Sequence, residues 1–221
     1  MIILFAWFSC LLTGLLLAEQ FPVLVQAGIL LLQTFLYTGV FITAHDSMHG
    51  IVSPEYPVVN QWIGTISVFG YALFSFQKLK EEHQFHHQFP ASSQDPDFHD
   101  GKHSGFWRWY VRFLLHYVTV WQITGMAIIF NLLLHIFKIP IQNLLFFWVL
   151  PSILSTIQLF YFGTFLPHRN ESQSQSPHYA GDSGFPVWLS FLTCYHFGYH
   201  FTHHSKPWVP WWKLPSERIL P

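Results

Sequence analysis

Three histidine clusters in this chain are spaced for convergence on a helix. His83-Gln84-Phe85-His86-His87 and His200-Phe201-Thr202-His203-His204 both follow an HxxHH pattern, and His45-Asp46-Ser47-Met48-His49 supplies a looser pair. Positions i, i+3 and i+4 of an α-helix lie within about 100° of arc, so the imidazoles of one box can be aimed at one point. His168, in Leu166-Pro167-His168-Arg169, ends an apolar stretch as His45 and His49 do, where an unpaired ring is costly. The candidate ligands are therefore His45, His49, His83, His86, His87, His168, His200, His203 and His204. One ion takes about four to six donors, so nine suit two ions in one polynuclear site. His196, one turn before His200, is either a tenth ligand or a supporting group. Asp46, Asp95 and Asp97 are candidates to hold the free ring nitrogen of a ligand histidine. Asp95-Pro96-Asp97 fits a simple turn equally well. His99, His103 and His178 fall in polar loops and read as solvated, whereas His116 and His135 read as core or interface residues.

Imidazole donors suit iron, zinc, copper or nickel, so spacing does not name the metal. No HEXXH motif of a zinc protease is present. Adjacent pairs such as His86-His87 do not suit haem, which needs isolated histidines facing each other across a bundle. Clustered histidines in a membrane point to oxygen chemistry on an apolar substrate. A transporter would instead set its ligands near the bilayer midplane on broken helices.

The scaffold must be a membrane one. The chain of 221 residues is 51% hydrophobic and only 10% charged, against about 25% charged for a soluble domain. A net charge of −1 gives no footprint for nucleic acid. Cys10 and Cys194 sit in apolar surroundings with no paired spacing and read as buried thiols. Four stretches approach the roughly 20 apolar residues a bilayer span needs: about 1–18, 22–44, 118–137 and 141–166. The first has no basic leader or cleavage site and is read as a span; a few polar residues are expected upstream of it. Lys138-Ile139-Pro140 reads as a hairpin tip. A fifth apolar stretch, 58–76, would carry His83 to the opposite face from His45 if it crossed. It is therefore expected to be interfacial or re-entrant, with Asn60, Gln61, Gly64 and Gly70 interrupting its helix. The stretch 185–197 is too short to span and is also expected at the interface. Apart from Lys138, every Lys and Arg falls on the histidine side, which the positive-inside rule assigns to the cytoplasm. The 170–184 segment is then a cytoplasmic polar loop, and Asn170-Glu171-Ser172 a chance sequon. The expected fold is an all-α, multi-pass integral membrane protein of one domain, 1–221. It has four transmembrane helices plus interfacial or re-entrant helices, with the di-metal site and both termini on the cytoplasmic side.

The ordered set HxxxH…HxxHH…HxxHH resembles the membrane fatty acid desaturase/hydroxylase superfamily. Five stretches are similar to β-carotene ketolases of the bacterial and cyanobacterial type: 41–50, Asp95-Pro96-Asp97-Phe98-His99, Phe162 to Arg169, His196 to His204, and Val209-Pro210-Trp211-Trp212-Lys213-Leu214-Pro215. The resemblance implies two iron ions, O2 as co-substrate, and oxidation of the ring C4 methylene of β-carotene to a ketone. Electrons would come from a separate donor such as ferredoxin, since the chain has no flavin or nicotinamide fingerprint. A carotenoid ring hydroxylase and a fatty acyl desaturase use the same scaffold and remain alternatives. The family pattern has an acidic residue where Thr202 stands and a histidine where Phe201 stands. That departure implies altered bonding behind the ligands or altered substrate preference. Trp208, Trp211 and Trp212 suit either a polyene tunnel or an interfacial aromatic belt.

Overall fold

The computed structural model describes residues 1–169 and 178–219, and these are almost wholly helical. α1 (Ile2–Leu17) ends in a 3-10 turn, Ala18–Gln20, and Pro22 starts the next helix. α2 (Val23–Met48) is about 39 Å long at 1.5 Å per residue. Its first turns expose Val23, Leu24 and Leu31, whereas nearly every residue from Leu36 to Met48 is buried. The half of α2 that carries His45 is thus the half enclosed by protein. α2 packs against α1 and against the helical stretches Pro57–Ala72 and Leu150–Phe160.

α3 (Pro57–Ala72) and α4 (Phe76–Gln88) form a helical hairpin. Contrary to expectation, α3 is uninterrupted. Gly64 does not break it; its bare Cα makes room for the Phe76 ring, which a Cβ would strike. Asn60 is a clamp: its Nδ2 donates to Ser47 O at 2.8 Å and its Oδ1 accepts from Val52 and Ser53 N. It thereby satisfies backbone groups that the end of α2 leaves open, beside His49. The turn comes at Leu73, whose φ of 56° is left-handed.

α5 (Phe106–Tyr117) and α6 (Val120–His135) meet at 85°. Thr119 caps α6 with Gln122 in a reciprocal capping box. α7 (Ile141–His168) is continuous but carries two π-turns, Leu145–Val149 and Tyr161–Phe165. α8 (Val187–Cys194), α9 (His200–Ser205) and a 3-10 segment, Trp211–Glu217, complete the chain.

Among the described residues α1, α2 and α7 are long and apolar enough to cross a membrane, and the bent α5–α6 pair makes a fourth only if it counts as one span. The expected 118–137 span is realised as 16 helical residues, about 24 Å, short of a hydrocarbon core of about 30 Å. α8, with eight residues, is too short to cross, as expected. Lys138, at φ 56°, forms the tip between α6 and α7. Both cysteines are free. Asn170-Glu171-Ser172 and the first part of the 170–184 loop lie outside the described residues.

Where α2, α3 and α7 cross, a polar seam replaces apolar packing. Thr38 Oγ1 donates to Gln158 Oε1 at 2.7 Å, and Tyr71 OH donates to Ser155 Oγ at 3.0 Å. Such bonds fix helix register where no water competes. Around the seam Tyr37 meets Trp7 and Tyr71 edge-on, each at 5.4 Å between ring centres.

Candidate metal centre

The nine candidate histidines meet at one end of the bundle and divide into two groups. His45, His49, His83, His87 and His203 form one, and His86, His168, His200 and His204 the other; within each, one nitrogen per ring lies within 4.8 Å of the rest. The boxes do not each converge on one point, as their spacing had suggested. Each HxxHH box sends its i, i+4 pair to one group and its i+3 residue to the other. α4 gives His83 and His87 to the first group and His86 to the second, while α9 gives His200 and His204 to the second and His203 to the first. The groups adjoin where His87 and His204 stack at 4.1 Å.

Neighbouring Nε2 atoms lie 2.8 Å apart for His49 and His83, 3.1 Å for His87 and His203, and 3.0 Å for His204 with each of His86 and His200. Metal–nitrogen bonds of about 2.1 Å at right angles would set donors about 3.0 Å apart. Protonation argues the same way. Asp95 takes the Nδ1 proton of His86 at 2.9 Å, and Tyr179 O takes that of His168 at 2.8 Å. Their Nε2 lone pairs therefore both point into the four-histidine group. Nε2 of His45 and of His168 is buried without a hydrogen-bond partner among the described residues. Buried lone pairs facing one another call for a cation, and the donor set fits two ions of the imidazole-binding class.

Burial keeps these rings neutral, as ligation requires. It pushes His49 down to about 4 and His87 down to about 2, and lowers His83, His200, His203 and His204 well below the usual histidine range. His86 is the exception: burial opposes its charge, but the hydrogen bond and charge of Asp95 outweigh that and raise it.

Of the supporting candidates, Asp95 is the firmest. Its carboxylate also accepts from Ala91 N at 2.8 Å and Asp97 N at 2.9 Å, so its turn and its support of His86 are one structure. Asp97 stands back, 3.9 Å from His86 Nδ1, and accepts from Tyr117 OH at 2.5 Å. Asp46 lies 3.5 Å from His45 Nδ1 and accepts from Trp211 N, which ties the C-terminal segment to α2. His196 joins neither group; it is buried and stacks on Trp211 at 6.2 Å. Trp208 and Trp212 are exposed, as a belt would be. Among the remaining histidines, His178 comes nearest, its ring 5.8 Å from that of His204. His116 pairs with Glu82 and His103 with Asp100.

A cavity reaches the site from within the bundle. His45, His83, His86 and His200, drawn from both groups, line this cavity. Phe41, Met48, Phe74, Phe113, Leu159 and Phe197 are among its apolar walls. Asp182 is a residue the sequence did not flag: it bonds to Thr202 inside the last box.

Residues 20–142 and 118–219 match the fatty acid desaturase family. The chain is 38% identical to a β-carotene ketolase of Haematococcus lacustris, over 94% of this chain and 67% of that protein. It is 39% identical to a β-carotene 4-ketolase of Protosiphon botryoides, over 84% of this chain and 49% of that protein. It is 41% identical to a β-carotene ketolase of Paracoccus sp. (strain N81106 / MBIC 01143), over 91% of this chain and 82% of that protein. No solved structure matches the chain.

Proposed function

The chain belongs to the fatty acid desaturase family, with the β-carotene ketolases in it as its relatives, and from that premise we propose that it is a carotenoid 4-ketolase. The β-ionone ring C4 methylene of β-carotene is oxidised to a ketone, giving echinenone and then canthaxanthin. Two successive hydroxylations at one carbon give a geminal diol, which loses water. The nine histidines would hold two iron ions, the five-ring group one and the four-ring group the other. Iron there would supply the redox chemistry by which O2, with electrons from a separate donor such as ferredoxin, oxidises the allylic C4–H bonds.

The protein's own part is placement. Asp95 and Tyr179 O hold the Nδ1 protons of His86 and His168, so that each offers Nε2 inward. The aromatic cavity takes an apolar ring out of the bilayer and excludes water from it. The observation that carries the reading is that one apolar cavity is lined by rings from both histidine groups. In this reading the bent α5–α6 pair is a fourth span, and the excess of Lys and Arg on the histidine side supports a cytoplasmic site and termini. Labelling at Pro54 and Lys80 should report one side of the membrane.

Expression in carotene-producing bacteria tests the activity: extracted pigment should shift from yellow-orange to red and contain a conjugated ketone. Unchanged β-carotene in cells that accumulate the protein would sink the proposal. His168→Ala should abolish ketone formation and lower iron content, whereas His196→Ala should keep both irons and impair turnover. Equal iron loss in both would make His196 a tenth ligand.

A further inference from the structure

α9 carries three of the nine imidazoles on six residues, His200–Ser205. Helices this short do not hold themselves, because nucleation costs more than one turn returns. α9 also lacks a cap of its own, since the Tyr199 side chain offers no bond to its first turn. The missing acceptor comes from a separate segment. Asp182, with a side chain only 2% exposed, accepts from Thr202 N at 3.0 Å and from Thr202 Oγ1 at 2.7 Å. The Thr202 hydroxyl accepts in turn from Ile219 N at 3.1 Å. Arg218 Nε stands 4.0 Å from the carboxylate, and its guanidinium lies over the Tyr199 ring. The backbone is tied at the same place by the antiparallel bridge between Asp182 and Tyr199 and by Ser183 N donating to Gly198 O. A buried carboxylate on first-turn N–H groups makes a charge-assisted bond and complements the helix dipole.

We infer that Asp182 is a positioning residue of the metal centre: its carboxylate caps α9 from outside, so that His203 reaches one histidine group while His200 and His204 reach the other. The inference rests on the two-iron reading. It differs from the role of Asp95, which touches a ligand ring directly. Asp182 touches none of the nine rings and acts through Thr202, so its loss should loosen both ions together.

The test is iron stoichiometry and the rate of iron release to a ferrous chelator, in purified full-length protein. Asp182→Ala should weaken retention of both irons by about 10–100-fold, the range for groups that support ligands. Asp182→Asn keeps an oxygen acceptor for Thr202 N and should recover most of that loss, whereas Asp182→Leu, which fills the space without an acceptor, should not. Thr202→Val keeps the shape and the backbone bond, and should release iron a few-fold faster. Wild-type retention in both Asp182→Ala and Thr202→Val overturns the inference. If Asp182→Ala does not accumulate, Thr202→Val decides alone: faster release supports it and wild-type release overturns it. A wild-type protein that holds no iron counts against the two-iron reading instead. The same variants are then ranked by cobalt(II) titration, whose electronic spectrum reports histidine coordination. The same order supports the Asp182 role and equal affinity overturns it.

Discussion

In α4 the outer pair His83 and His87 serves the five-histidine group and His86 crosses to the other; in α9 the outer pair His200 and His204 serves the four-histidine group and His203 crosses back. The two boxes share a pattern and exchange destinations, and they are also built differently. α4 has 13 residues and its own cap, Ser75, which accepts from Lys78 N, and its crossing ring is braced by Asp95. α9 has six residues and is capped by Asp182 from another segment. A histidine-bearing helix can thus be made rigid by length or by bracing, and one cluster uses both means.

The largest effect should come from removing a crossing ligand. His86→Ala leaves the four-histidine group with three rings and Asp95 without its imidazole partner, so iron content should fall from two per chain towards one. His203→Ala leaves four rings in its group and should cost less iron, as elemental analysis of the two proteins would report. Equal losses would break the asymmetry between the groups. Next in size is Asp95→Asn, which removes the anionic acceptor of the His86 Nδ1 proton and should weaken the four-histidine group by about 10–100-fold in chelator competition. Asp46→Asn should do less, because Asp46 stands 3.5 Å from His45.

Two smaller changes sharpen the contrast in scaffolding. Gly64→Ala drives a methyl into the Phe76 ring at the start of α4, an overpacking that should cost about 1–3 kcal/mol and lower the melting temperature. Ser75→Ala removes only a long 3.4 Å cap bond and should cost about 0.5 kcal/mol. Iron retention in Ser75→Ala should match wild type, because α4 has length in reserve; iron loss there as great as in Asp182→Ala would erase the distinction between the boxes.

The candidate set was legible because i, i+3, i+4 spacing survives any tertiary arrangement, and the eight rings flagged by it meet in the fold with His168. Their division was not, since it depends on the angle at which α4 faces α9. His168 was found from its depth at the end of an apolar run, a cue that needs no motif. Asp182 carries no such cue: it is a lone carboxylate in a polar stretch, and only the bridge to Tyr199 brings it under Thr202. Gly64 misled because a glycine in an apolar run signals a break as readily as a close approach. Here the ring of Phe76 decided it. The third apolar run read as one straight helix over 118–137, because nothing in its composition marks the Thr119 cap, where the chain bends by 85° between α5 and α6.

The π-turn at Tyr161–Phe165 ends directly before the three residues that finish α7 with His168. A π-turn accommodates one residue more than the α-helical turn it replaces, which shifts the phase of everything after it by about 100°. His168 is thus aimed by an inserted residue as much as by its own identity. Deleting one residue within Tyr161–Phe165 would give a more regular helix with every ligand still in the sequence, yet swing that imidazole about a quarter-turn off the centre. Spacing along the chain, not only composition, therefore decides where this helix points its last imidazole.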